Sequence, residues 1–348
     1  MKAIRIHEHG GVEVLKIDEI AMPEIEPHEV LINVQMAALN HLDIWVRKGI
    51  PGVPLPQIMG SEASGIVVEV GEVAHDKYHF KKGDEVFTVP IRTCGHCVYC
   101  LSGRENLCYD FAIPGETEEG VQAQYIAVPA DFVFKKPTKL NWEETAAFPL
   151  AGMTAYHMLS EKAHVRPEDW VLVYGASSGV GSSAIQIARA FGASVITTVG
   201  NAEKEKLARQ LGADYVIRYD QQPIGKTVKE ITNGEGVDII IEHPGQKTWK
   251  ESLRALRRGG KIITCGATTG YQAEFDIRSL FIKHQQIIGS TMGTRKDIID
   301  LLALIERGRF KPVIAKVFSY EDVQEAHRFL EEGKAFGKVV LKFENLFI

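Results

Sequence analysis

The chain has 348 residues, with 40 Lys plus Arg against 45 Asp plus Glu, a formal net charge of −5 and a hydrophobic fraction of 45%. That length exceeds the roughly 100–200 residues common for one domain and predicts two domains with substantial cores. The slight acidity argues against a broad phosphate-binding surface and so excludes nucleic acid as a main partner. Charge interrupts the apolar residues of Met1-Lys2-Ala3-Ile4-Arg5-Ile6, and no apolar run reaches the roughly 18 residues of a membrane span. A cytoplasmic chain with neither signal peptide nor membrane anchor is therefore expected.

The first 130 residues carry short β-rich runs, Val30 to Val34, Gly65 to Val70 and Glu85 to Val89, separated by Gly and Pro. They predict an irregular β-rich domain over residues 1–150. Within it Cys94, Cys97, Cys100 and Cys108 fall inside fifteen consecutive positions, while a fifth cysteine, Cys265, stands apart. Thiolates this close in one loop suit a metal better than a disulfide framework, and four of them fill a closed tetrahedral zinc site with no position left for substrate. One structural zinc per chain is expected, with His96 as a spacer.

After Pro149 apolar strands alternate with helical patterns, as in a series of βαβ units. The candidates are Trp170 to Tyr174, Val195 to Val199, Tyr215 to Ile217, Asp238 to Ile241, Lys261 to Thr264 and Gln286 to Ser290. They predict a doubly wound, six-stranded parallel sheet in a domain over 151–295, making the fold class α/β. Ala184, Ile187, Ala188 and Phe191 recur at helical spacing in Val180 to Phe191 and would press one face onto that sheet.

Between the first strand and this helix lies a turn of small residues, Gly175, Ser177, Ser178, Gly179, Val180 and Gly181 among them. Such a turn lets the backbone N–H groups and the positive end of the helix meet a dinucleotide pyrophosphate. The second strand ends in Val199-Gly200-Asn201-Ala202-Glu203-Lys204 with no acid at its tip. A carboxylate there would repel the 2′-phosphate of NADP, so its absence permits NADP(H), with Asn201 and Lys204 as phosphate contacts; NAD stays open. Gly200, Tyr219 just past the third strand and Gly266 after the fifth complete the expected cofactor set. From Lys296 onward two helical patterns, through Glu306 and over Tyr320 to Glu332, precede a strand at Lys338 to Phe343, and this segment, 296–348, is expected to return to the first domain.

Taken together, Ala38-Leu39-Asn40-His41-Leu42-Asp43, Gly60-Ser61-Glu62, the cysteine lobe, Ala151-Gly152-Met153-Thr154-Ala155-Tyr156, Gly175 to Gly181 and Gly259-Gly260-Lys261-Ile262 resemble the medium-chain dehydrogenase/reductase superfamily, in its zinc-type alcohol dehydrogenase and quinone oxidoreductase branches. The resemblance covers essentially the whole chain. It implies a GroES-like first domain, a Rossmann second domain and an NAD(P)-dependent enzyme with a small-molecule substrate. Zinc alcohol dehydrogenases of the family bind catalytic zinc through Cys, His and Cys, and those positions here read Asn40, Ser61 and Leu150, leaving only the neighbouring Glu62. An amide, a hydroxyl and an aliphatic chain do not replace thiolate and imidazole. A different site built from His41, Asp43 and Glu62 stays open.

The stretch from Asn40 to Asp43 is instead similar to the zinc-independent quinone oxidoreductases, where the matching Asn lies beside the nicotinamide. Without a Lewis acid, the suitable acceptor is one whose conjugation already stabilises the charge created by hydride, a quinone or an α,β-unsaturated carbonyl. Asn40 and Thr154 would then orient the ring, with solvent, His41 or Tyr156 supplying the proton and Asp43 holding local structure. The resemblance also implies that Lys338 reaches the cofactor phosphates, and that the edge at Gln286 to Ser290 pairs subunits into a homodimer or homotetramer. Two alternatives remain at this point, an alcohol dehydrogenase with catalytic zinc and a non-catalytic nucleotide-binding protein like some lens crystallins of the family.

Overall fold

Eight of the eleven residues 29–39 are apolar, with Glu29, Asn33 and Gln35 the exceptions, and apolar residues at both odd and even positions require cover on both faces. In the computed structural model, which describes residues 1–343, this segment is the strand Glu29–Leu39, buried along almost its whole length. It runs antiparallel to Lys338–Lys342 and Tyr125–Pro129 along one edge and to Glu62–Val70 along the other. These strands belong to a seven-stranded sheet completed by Ile314–Ser319, Glu85–Thr88 and Val133–Lys135. A three-stranded sheet, Lys16–Glu19, Lys2–Ile6 and Gln57–Ile58, stands beside it in the chain. Phe87 and Phe148, fully buried with ring centroids 4.9 Å apart edge to face, contribute to the core of this unit.

The second unit is built on six parallel strands, β1 Trp170–Val173, β2 Ser194–Val199, β3 Tyr215–Arg218, β4 Val237–Glu242, β5 Leu256–Thr264 and β6 Gln286–Gly289. Their order is β3-β2-β1-β4-β5-β6, so the chain reverses its direction of travel across the sheet between β1 and β4. Register is set by apolar residues buried on both faces: Ile240 lies between Leu172 and Ile262. The first crossover helix, Gly179–Ala190, buries Ala184, Ile187 and Ala188, as its spacing predicts. β5 begins five residues earlier than its apolar pattern suggests, because Leu256 pairs with Val237 ahead of a bulge that accommodates Arg257-Arg258-Gly259-Gly260.

Contacts divide the chain into Met1–Leu150 with Thr294–Leu302 and the segment from Pro312 on, and Ala151–Gly293 with Ala303–Lys311. The segment from 296 therefore does not return to the first unit as a whole. Residues 303–311 stay with the second, where the Gln186 amide exchanges hydrogen bonds with the Lys311 backbone at 2.9 and 3.0 Å. No helix among the described residues is long and apolar enough to cross a membrane.

Candidate functional site

Three adjacent strand ends of the first unit converge on one buried polar cluster. The register places Val339 opposite Leu39 and Ala38 opposite Glu62, so Lys338, Asn40 and Glu62 meet at a common end of the sheet. Lys338 Nζ lies 2.7 Å from Glu62 Oε1 and donates a second hydrogen bond to Asn40 Oδ1. Asn40 Nδ2 donates to the same Glu62 oxygen at 2.8 Å, and Glu62 Oε2 accepts from the Leu150 backbone N–H at 2.6 Å. Glu62 is 0% exposed and Lys338 5%. An ion pair this deep is tolerated because its desolvation is offset by mutual attraction and by the bonds that satisfy both Glu62 oxygens.

Sequence reasoning sends Lys338 to the cofactor phosphates, whereas its amine is held by Glu62 and Asn40. Ser61 is buried, and Leu150 offers only its backbone N–H. Among the described residues His41, Asp43 and Glu62 do not come together as a three-ligand group. His41 is exposed and meets Trp45 edge-on at 5.6 Å, and Tyr156 packs against Phe191.

Asp43 opens the helix His41–Lys48 from a buried position, where its Oδ2 accepts from the Asn40 backbone N–H at 2.6 Å. It thereby fixes the backbone that carries the Asn40 amide. Burial pushes the Asp43 carboxyl up to about 6, against smaller opposing effects of the Asn40 N–H and Lys338. The folded protein thus binds this proton more tightly than the unfolded chain, whose Asp titrates near 3.9. The resulting stabilisation is complete below the unfolded value and is lost as pH rises through about 6. Against Asp43→Asn, the wild type should gain about 1 kcal/mol of unfolding free energy between pH 7 and pH 5. Denaturant titrations at the two pH values measure it, and parallel behaviour of the two proteins would remove the assignment.

The second unit gathers the expected cofactor residues at the carboxyl ends of its strands. Gly175, at φ +59°, turns the chain out of β1, and a Cβ at Gly181 would stand 2.1 Å from the Gly175 carbonyl oxygen. Only glycine permits that approach of turn to helix. Ser178 caps the helix by accepting from Gly181 N at 2.8 Å, with Gly179 and Val180 forming its first turn. Lys204 Nζ reaches Ser177 Oγ at 3.3 Å, while the Asn201 side-chain oxygen accepts from Lys204 N at 2.9 Å and caps the next helix. Tyr219 is exposed and lies against Gly200, where a Cβ would meet its hydroxyl at 2.6 Å. Thr154 is buried beside Met292, its hydroxyl 4.0 Å from the sulfur.

A residue that the sequence reading passed over sits among them. His243 Nε2 lies 2.9 Å from the Tyr174 carbonyl and 3.2 Å from Ser178 Oγ, and a Cβ on Gly266 would stand 3.1 Å from the His243 carbonyl oxygen. Its signal was position: His243-Pro244-Gly245 directly follows the apolar β4, at the sheet edge where ligands of such folds bind. Cys265 is inert by comparison, its thiol pushed up to about 12 by burial and the neighbouring Glu242.

The four clustered sulfurs lie within 4.8 Å of one another, with Cys94 to Cys108 at 3.5 Å and Cys94 to Cys100 at 4.0 Å. A tetrahedron with Zn–S bonds of ~2.3 Å has edges of about 3.8 Å, so the donor set fits that ion. Backbone N–H groups of Cys94 and Cys97 point at Cys108 Sγ and Cys94 Sγ, at 3.3 and 3.4 Å, as suits thiolates. The lobe is tied to its unit through Glu105, which takes Arg295 Nη2 at 2.6 Å and Arg295 N at 2.9 Å.

Residues 26–138 match the alcohol dehydrogenase GroES-like domain, and residues 179–307 match the zinc-binding dehydrogenase domain. An NAD-dependent alcohol dehydrogenase of Saccharolobus solfataricus is 33% identical over 98% of this chain and 99% of its own. The chain belongs to the medium-chain dehydrogenase/reductase superfamily. Similar to it within that superfamily is a crotonyl-CoA carboxylase/reductase of Cereibacter sphaeroides, 33% identical over 93% of this chain and 83% of the other. A crystal structure of an NAD-dependent alcohol dehydrogenase superposes with a TM-score of 0.94 at 41% identity, covering 99% of this chain and 100% of that one. This medium-chain dehydrogenase/reductase is an oxidoreductase with a GroES-like unit and a Rossmann unit.

Proposed function

We propose that this chain is an NAD(P)H-dependent reductase of quinones or α,β-unsaturated carbonyls that works without a catalytic zinc and carries one structural zinc on its four cysteines. The observation that carries the reading is the Lys338 ammonium 2.7 Å from Glu62, buried in the strand-end cluster where family zinc enzymes would need a thiolate and an imidazole in place of Asn40 and Ser61. A fixed positive charge among these donors repels a divalent ion. An enzyme lacking a Lewis acid needs an acceptor whose own conjugation disperses the incoming charge. A relative named for crotonyl-CoA, a conjugated thioester, supports that substrate class.

The dinucleotide would lie on Gly175 to Gly181, with Gly200, Tyr219 and Gly266 around it, and supply the hydride. Lys204, half-buried beside Ser177 at a strand tip with no acid, favours NADP(H) over NAD. Tyr271, Ile277, Phe281 and Ile282 are exposed ahead of the edge strand β6, which supports pairing of subunits into a dimer or tetramer. A cytoplasmic location accords with free thiols in a metal cluster.

The second reading, an alcohol dehydrogenase, is favoured by the names of the relatives at 33% and 41% identity. Metal analysis combined with a substrate panel separates the two. We expect about one zinc per chain, turnover of enones or quinones that survives brief chelation, lower KM for NADPH than for NADH, and a dimer or tetramer by light scattering. Two zincs per chain, with alcohol oxidation lost on chelation, would replace this reading with the second.

A further inference from the structure

The carboxyl ends of β1 and β4 are neighbours at the point where the chain reverses its travel across the sheet, and in a sheet wound this way a dinucleotide lies in the crevice there. The turn that leaves β1 suits that ligand. A side chain at Gly181 would strike the Gly175 carbonyl, and the backbone N–H groups of Gly179 and Val180, at the start of a helix of 12 residues, have no acceptor among the described residues. His243 follows β4 and faces this turn, its Cε1 3.1 Å from where a Cβ on Gly175 would stand. All of these groups belong to the second unit.

The hydrogen bonds of His243 fix the direction of the Ser178 hydroxyl. Tyr174 offers a carbonyl oxygen, which only accepts, so His243 Nε2, 2.9 Å away, carries the ring hydrogen. Ser178 Oγ lies 3.2 Å from the same nitrogen and therefore faces a donor, while it also accepts from Gly181 N at 2.8 Å. With both lone pairs opposite N–H groups, the O–H is directed away from His243 and Gly181, and it has no acceptor among the described residues. We infer that His243 is a positioning residue for the dinucleotide pyrophosphate: by donating to Ser178 Oγ it holds the Ser178 hydroxyl hydrogen outward, at the same helix end as the Gly179 and Val180 N–H groups, as a further donor to a phosphate oxygen.

This inference rests on the reading that a dinucleotide lies on Gly175 to Gly181. A hydroxyl donating to a charged phosphate oxygen makes a stronger bond than one donating to a neutral group, and a donor already aimed needs no ordering when the ligand arrives. Without the His243 N–H the hydroxyl would rotate among its staggered positions, and fixing it would consume part of that gain. The effect is on binding alone, and no bond of the ligand is made or broken by it. It applies equally to NAD and NADP, which share the pyrophosphate, and is confined to ligands that carry that group.

The test measures binding to the full-length protein by titration calorimetry, with ADP-ribose as a ligand that has the pyrophosphate and adenosine as one that lacks it. His243→Leu should weaken ADP-ribose about tenfold, the scale of one well-aimed bond to a charged group, and leave adenosine within about twofold. His243→Gln, whose amide nitrogen can stand at the Nε2 position, should restore most of the affinity, whereas His243→Asn is too short to do so. That pair decides the matter if the Leu variant does not fold. In a Ser178→Ala background His243→Leu should add no further loss, because the group it positions is gone. An unchanged ADP-ribose Kd in His243→Leu, equal losses for both ligands, Gln and Asn variants that behave alike, or losses that add in the double variant would each overturn this inference and leave the cofactor site standing. A wild type that binds neither ADP-ribose nor either dinucleotide overturns it together with the reading beneath it.

Discussion

Cys108→Ser should reduce the zinc content from about one per chain to near zero and release the loop from 94 to 108 to proteolysis. The rest of the GroES-like sheet and cofactor binding by the Rossmann unit should persist. The lobe has almost no apolar interior of its own: Val98, Leu101, Leu107 and Tyr109 are exposed, and its regular structure is limited to a four-residue helix, Val98–Leu101, and a three-residue turn, Glu105–Leu107. Its core is the sulfur cluster. Structural zinc binding contributes on the order of 10–16 kcal/mol of apparent folding free energy in zinc-finger peptides, and a serine hydroxyl is a poor substitute for thiolate. The Glu105–Arg295 ion pair holds one flank only, so it localises the damage without preventing it. Limited proteolysis with metal analysis checks the expectation. A variant with wild-type protease resistance and no zinc would mean that the lobe holds itself by other contacts.

The second large effect is expected from Lys338→Met alone. It leaves the Glu62 carboxylate fully buried with two neutral donors and no countercharge. Removing one partner of a buried pair typically costs about 3–5 kcal/mol, whereas replacing both is often close to neutral. The single variant should therefore lose about 3–5 kcal/mol of unfolding free energy, and Lys338→Met/Glu62→Gln should recover most of it, because Gln keeps an acceptor for Asn40 Nδ2. Denaturant unfolding of the two variants beside the wild type decides the matter. Equal losses in both would show that Lys338 contributes through its packed methylenes rather than through charge.

How much of this was legible beforehand differs from one element to the next, for physical reasons. Local pattern suffices where a feature is local. The cysteine spacing implies the sulfur cluster because the ligands come from one short loop, and the small-residue turn at Gly175 to Gly181 implies a phosphate cradle because strand, turn and helix are contiguous. The four inner strands of the Rossmann unit were legible because buried parallel strands are continuous apolar runs, and the edge strands β3 and β6 because Val216-Ile217 and Ile287-Ile288 still mark them. β2 and β4 begin one residue earlier than their patterns suggest and β5 five, since Arg257-Arg258-Gly259-Gly260 carries no apolar signal and its pairing depends on the neighbouring β4.

By itself the sequence determined the family, the absence of thiolate and imidazole at Asn40 and Ser61, and the residues that can hold zinc. It could not say where Lys338 points, because that amine meets Glu62 and Asn40 only when strands separated by 276 and 298 residues come into register. Nor could it say what His243 touches, although its position after β4 was visible, since its ring reaches Ser178 across 65 residues of chain. Tertiary structure decided these, since a side chain's partners depend on strand register and burial. Register brings distant residues within hydrogen-bonding distance, and burial makes every unpaired charge costly enough to enforce the pairing.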